Sequence, residues 1–163
     1  MHKIITGLTL LIFVSACTKK IDNCKYDICE NPAPAAEITV LENFLAANTI
    51  VATKHCSGYY YIIDAAGSGN SPNICSGISV KYKGQLTNGT IFDQTTTPVN
   101  FDIGILIAAW KKGLMQLKPG GKLRMWTPPS LGYGNRDVKN NAGAIIIPAN
   151  SILYFEIELV GVF

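Results

Sequence analysis

Ile105-Leu-Ile-Ala-Ala-Trp-Lys-Lys-Gly-Leu114 is the stretch on which the fold turns. Its residues Ile107, Trp110 and Leu114 recur at intervals of three and four, which sets them along one face of a helix and puts Lys111 and Lys112 on the other. Around it the pattern is that of strands. Residues 59–63 are rich in β-formers between Gly58 and Gly67-Ser-Gly69, and residues 78–86 alternate loosely. Asn88-Gly89 offers a two-residue hairpin turn, and Ile91-Phe92 begins the return strand. Residues 99–103 and 122–128 read as further short strands. The final strand, 152–160, sets Ile152, Tyr154 and Glu156 on one face and Leu153, Phe155, Ile157 and Leu159 on the other. One helix among antiparallel strands predicts an α+β domain.

With 163 residues, 48% hydrophobic and 15% charged, the chain can build one good core. Fourteen Lys and Arg against eleven Asp and Glu give a net charge of +3, with no basic run longer than two, which argues against a nucleic-acid groove. Ahead of the strands, Ile38, Leu41 and Leu45 fall at helical spacing with Phe44 beside them. They predict a short amphipathic helix over 37–47, packed on the main domain or on a partner. Residues 131–148 form a long Gly- and Asn-rich stretch, too long to be inert in a compact domain, and are expected to be a functional flap.

The N-terminal Met-His-Lys is followed by an apolar run over 4–14 and then Ser15-Ala16-Cys17. The run is too short to span a bilayer and has the layout of a secretory signal over 1–16. Its end resembles the bacterial lipobox, so Cys17 is expected to be acylated and to anchor the chain to a membrane. Residues 17–36, polar and then Pro/Ala-rich, would be the tether. Thr18 and Lys19 after the cysteine, with no Asp, favour the outer membrane facing the periplasm over the inner membrane. Outside the reducing cytoplasm the remaining Cys24, Cys29, Cys56 and Cys75 can form disulfides, and the preferred pairs are Cys24 with Cys29 and Cys56 with Cys75. No metal site is expected: only His55 accompanies these cysteines, and no Cys-x-x-Cys spacing occurs.

In order, Val80-Lys-Tyr-Lys-Gly84, Asn88-Gly-Thr-Ile-Phe-Asp93, Pro98 with Phe101, Trp110 with Gly113-Leu114, Lys118-Pro-Gly-Gly121, Leu131-Gly-Tyr-Gly134, Ile146-Ile-Pro148 and Leu153-Tyr-Phe-Glu-Ile-Glu-Leu159 resemble the FKBP-type peptidyl-prolyl isomerases over residues 58–163. The resemblance implies an antiparallel β half-barrel wrapped around one short helix, with the N-terminal helix preceding it. It implies an apolar pocket for a prolyl ring, floored by Trp110 and walled by Tyr82, Phe92, Ile107 and Phe155, with Val99 and Ile147 also at the substrate. Leu106 and Ile107 would present backbone groups, Tyr133 a hydroxyl, and Asp93 would sit at the rim, accepting hydrogen bonds either from Tyr133 or through a contact near the substrate carbonyl. Asp93, Tyr133 and Ile107 are the candidate catalytic residues.

The same resemblance implies no cofactor, proline-containing exported polypeptides as partners, and a macrolide as a further ligand. A weakly catalytic chaperone or binding module of the same fold is the alternative. The sequence contains no Ser-His-Asp arrangement and no Gly-rich phosphate loop, and rotation about an amide needs neither. The sequence departs from the family pattern in places. Val99 replaces an aromatic wall, and the Gln94-Thr-Thr-Thr97 stretch is short and lacks an Arg to pair with Asp93. The segment between Phe101 and Trp110 is also short, and the flap is longer.

Overall fold

The computed structural model describes residues 24–163. The expected signal sequence and Cys17 lie outside the described residues. Chain order is α1 (Ala35–Ala47), β1 (Thr53–Lys54), β2 (Tyr60–Ala65), β3 (Gly77–Leu86), β4 (Ile91–Asp102), a 3-10 turn (Ile103–Ile105) and α2 (Ala108–Leu114). There follow β5 (Lys122–Thr127), a second 3-10 turn (Pro129–Leu131), β6 (Val138–Lys139), β7 (Ile145–Ile147) and β8 (Leu153–Val162). Six strands form one antiparallel sheet in the order β1-β2-β5-β8-β3-β4, and β6 with β7 make a separate small hairpin inside the expected flap.

The alternation in β8 decides which side of the sheet is the core. Leu153, Phe155, Ile157 and Leu159 are buried while Tyr154, Glu156 and Glu158 are only partly so. The inward set joins Val80, Leu123, Met125, Ala109, Trp110 and Leu114 in a core that traps α2 against the sheet. The outward set meets α1: Leu41 and Leu45 pack on Trp126, with Tyr60, Ile62 and Tyr154 around them. The helix predicted over 37–47 therefore begins two residues earlier and packs on the domain itself. It is held further by Glu37, which accepts the Ser130 N–H at 2.8 Å, and by Glu42, which accepts Lys54 Nζ at 2.8 Å.

Four expectations are corrected. The Asn88-Gly89 turn is a three-residue loop: Gly89 N–H donates to Leu86 O, and Leu86 N–H to Thr90 O. Gly89 at φ +86° supplies the left-handed step that such a loop requires. The strands expected around Ile91 and at 99–103 are one strand, β4. Opposite Val80 and Tyr82, which pair with Val99 and Thr95, β4 carries extra residues around Pro98, and this bulge absorbs the proline that breaks the sequence pattern. The helix expected over 105–114 is shorter, because Leu106 (ψ 166°) and Ile107 (ψ 153°) are extended.

The disulfides are Cys24–Cys75 and Cys29–Cys56, each with Cα atoms 5.3 Å apart, in place of the preferred pairs. The reason is the path of the N-terminal segment. Ala33 is 6% exposed and donates its N–H to Ser57 O at 2.9 Å, which lays the chain beside the Cys56 turn rather than folding it back on itself. The described part of the expected tether, from Cys24 on, is thus stapled to the domain.

Candidate functional site

Strands place neighbouring side chains on opposite faces, so Phe92 and Asp93 should not serve one site. Here they do. Gly84 pairs with Asp93 and the next residue, Gln85, pairs with Ile91, leaving Phe92 as the extra residue of a bulge. The bulge re-aims it, and both Phe92 and Asp93 line one cavity. Gly84 makes room behind the aromatic ring: a Cβ there would stand 2.5 Å from the Phe92 ring and 3.1 Å from that of Phe155.

The cavity has a volume of about 200 Å³ and is lined by Tyr82, Phe92, Asp93, Phe101, Leu106, Ile107, Trp110, Tyr133 and Phe155. Trp110, from the first turn of α2, is 5% exposed and meets its neighbours edge to face, with ring centroids 5.1 Å from Tyr82, 5.4 Å from Phe155 and 6.4 Å from Phe101. Phe92 closes on Phe155 in the same manner at 5.7 Å. Such contacts brace one another and hold an apolar hollow open.

The polar groups are few and sit at the edge. The Tyr82 hydroxyl donates to Asp93 Oδ2 at 2.6 Å. Asp93, opposite Gly84, is the diagonal neighbour of Tyr82 on the same side of the β3–β4 pair, which is why this tyrosine reaches it and Tyr133 does not. Burial, and then the bond to Asp93, push the Tyr82 hydroxyl well above the ordinary tyrosine range. Tyr133 stands in the flap just after the second 3-10 turn, 42% exposed. Its hydroxyl is raised by burial first and by the Asp93 charge second, which keeps it protonated and able to donate. Leu106 and Ile107 bring extended backbone to the opposite edge. Among the described residues no backbone group pairs with the Leu106 carbonyl or the Ile107 N–H.

The structure thus brings together Asp93, Tyr133, Ile107, Tyr82, Phe92, Leu106, Trp110 and Phe155. It does not bring Val99 or Ile147 to the cavity. Val99 pairs with Val80 and packs into the core, and Ile147 is 2% exposed in the same cluster. Phe101, two residues beyond Val99 on β4, takes the wall instead. Its place could have been read from the period-two spacing that puts it on the same face as Val99. A roomier depression of about 520 Å³ lies on the outer face of the sheet. Its charged side chains pair with one another, as in Lys83–Glu156 at 2.8 Å and Arg124–Asp64 at 2.7 Å, so it reads as a solvated face.

The profile of the FKBP-type peptidyl-prolyl cis-trans isomerases matches residues 69–160. Over 114 residues the chain is 40% identical to the FKBP-type peptidyl-prolyl cis-trans isomerase FkpA of Buchnera aphidicola subsp. Schizaphis graminum, covering 68% of this chain and 43% of that protein. The crystal structure of FkpA from Escherichia coli superposes with a TM-score of 0.64 at 33% identity, over 78% of this chain and 58% of that one. A peptidyl-prolyl cis-trans isomerase from Pseudomonas syringae pv. tomato superposes with a TM-score of 0.66 at 28% identity, over 80% and 96% of the two chains. The chain spans less than half the length of the curated relatives it matches. The bulged β4, the aromatic hollow over α2 and the matched profile lead to one conclusion: the chain belongs to the FKBP-type peptidyl-prolyl cis-trans isomerase family.

Proposed function

We propose that the chain accelerates cis-trans rotation of X-Pro bonds in exported polypeptides. The observation that carries this reading is a hollow walled by six aromatic rings whose one charged side chain, Asp93, stays at the rim. A prolyl amide must cross a barrier of roughly 20 kcal/mol set by its resonance. The twisted transition state has lost that resonance and has a less polar carbonyl, so transfer from water into an apolar hollow favours it over the planar ground state. The prolyl ring lies on Trp110, the Ile107 N–H and the Tyr133 hydroxyl are available as donors to the substrate carbonyls, and Asp93 holds Tyr82 in the wall. No nucleophile or proton transfer enters.

We place this activity in the cell envelope, anchored through an acylated Cys17, most simply at the outer membrane facing the periplasm. The support is the apolar run over 4–14 followed by Ser15-Ala16-Cys17, with Thr18 and Lys19 and not Asp directly after the cysteine. A protease-free assay of cis-to-trans relaxation in X-Pro peptides tests the activity. Acceleration at micromolar protein is expected, and its absence would sink the enzyme reading. For the anchor, Cys17→Ser should move the protein from the membrane fraction to the soluble one, and continued membrane association would rule out acylation.

A further inference from the structure

The side of α2 turned away from the cavity is not solvent. Trp110 and Lys112 stand about 200° apart around the helix axis, so with the indole in the cavity wall the lysine points to the opposite side. There Lys112 is 1% exposed, a rare burial for a charged side chain. Its Nζ donates to the backbone carbonyl of Glu30. On the next turn Gln116 Nε2 donates to the hydroxyl of the fully buried Tyr59, on which His55 stacks at 4.4 Å. Glu30 is fixed in its turn. Its neighbour Cys29 is bridged to Cys56, and Ala33 is bonded to Ser57.

α2 has seven residues and no side-chain cap. A helix that short is not maintained by its own hydrogen bonds, so its rotation is set by what it packs against. An ammonium buried without its carbonyl partner is costly, and it would regain water only if α2 or the N-terminal segment moved. We infer that Lys112 is a positioning residue for the pocket: through the Glu30 carbonyl and the Cys29–Cys56 disulfide it fixes the rotation of α2, and with it the Trp110 floor. The N-terminal segment around Glu30 is then a working part of the domain. For its effect on turnover the inference rests on the isomerase reading; for its effect on Trp110 it does not.

The test uses the full chain carrying Trp126→Phe, which leaves Trp110 as the one remaining tryptophan of the chain's two. Lys112→Met keeps the stem and removes the ammonium, Cys29→Ser with Cys56→Ser removes the link, and Cys24→Ser with Cys75→Ser breaks the other disulfide for comparison. Trp110 emission, its quenching by acrylamide, and kcat and KM on an X-Pro peptide are read on each. Lys112→Met and the Cys29/Cys56 variant should each lower kcat/KM about tenfold, as a misplaced floor would, with red-shifted and more quenchable emission. Their combination should be no worse than either alone, since both cut one linkage, and the Cys24/Cys75 variant should lose less. Unchanged Trp110 emission in folded Lys112→Met, losses that multiply in the combination, or equal losses in the two disulfide variants would overturn the inference. Should Lys112→Met fail to fold, the two disulfide variants decide between them. Should the parent chain not accelerate X-Pro rotation, the isomerase reading fails while the emission measurements still judge the linkage.

Discussion

The chain's two tryptophans are equally buried, at 5% exposure each, and lie on opposite sides of the sheet. Trp110 stands on the core side with an open hollow above it, and its indole N–H is buried without a partner among the described residues. Trp126 stands on the outer side, covered by Leu41 and Leu45 of α1 and tilted against Tyr154 with ring centroids 5.0 Å apart. Burial alone therefore does not mark a site. What separates the two is whether the chain itself fills the space against the ring, and only beside Trp110 does it leave that space to a guest.

The sharpest way to break this contrast is to truncate each ring in turn. Trp110→Ala should lower isomerisation about a hundredfold, because the surface that orients the substrate is gone. Relaxation kinetics on a variant whose circular dichroism matches the parent would check it, and retained activity would make Trp110 a bystander. Trp126→Ala should instead cost about 3 kcal/mol of stability, the usual effect of deleting a packed ring, while turnover by the folded fraction stays near parental. A urea titration alongside the kinetics tests both halves, and a turnover loss matching that of Trp110→Ala would erase the distinction.

Smaller changes sharpen it on each side. Tyr82→Phe removes the donor to Asp93 and should cost about 1 kcal/mol, with a several-fold fall in kcat/KM; if kcat/KM does not move, the Tyr82–Asp93 pair has no part in the site. On the outer face, Lys83→Ala breaks the pair with Glu156 and should change stability by less than about 1 kcal/mol with no effect on turnover. A larger loss of stability in thermal unfolding would show that face to be more than solvated.

Much of this was legible in the sequence, and the misses share a cause. The inward set of β8, the helix carrying Trp110 and the amphipathic face of α1 follow from local periodicity, which burial enforces directly. Asp93 beside Phe92 was legible as a site only through the family pattern, because the strand rule alone would have separated them and the bulge is a property of two strands in register. Phe101 was passed over for Val99, although both face the same way, because depth along the strand is set by pairing with β3. The disulfides, which span 51 and 27 residues, and the burial of Lys112 against Glu30, 82 residues away, depend on where the N-terminal segment is laid, and no local spacing encodes that. The half-barrel's site was thus readable in its residue types, and its partners were not.

Gly84 carries one more consequence. It lines no part of the cavity, yet a methyl group at that position would collide with Phe92 from behind, and the free side of that ring is the hollow itself. The aperture offered to a guest is therefore governed from the far side of the wall, by the absence of one carbon atom on the neighbouring strand. Two chains could share every residue that touches the guest and still admit guests of different girth, if they differed at position 84.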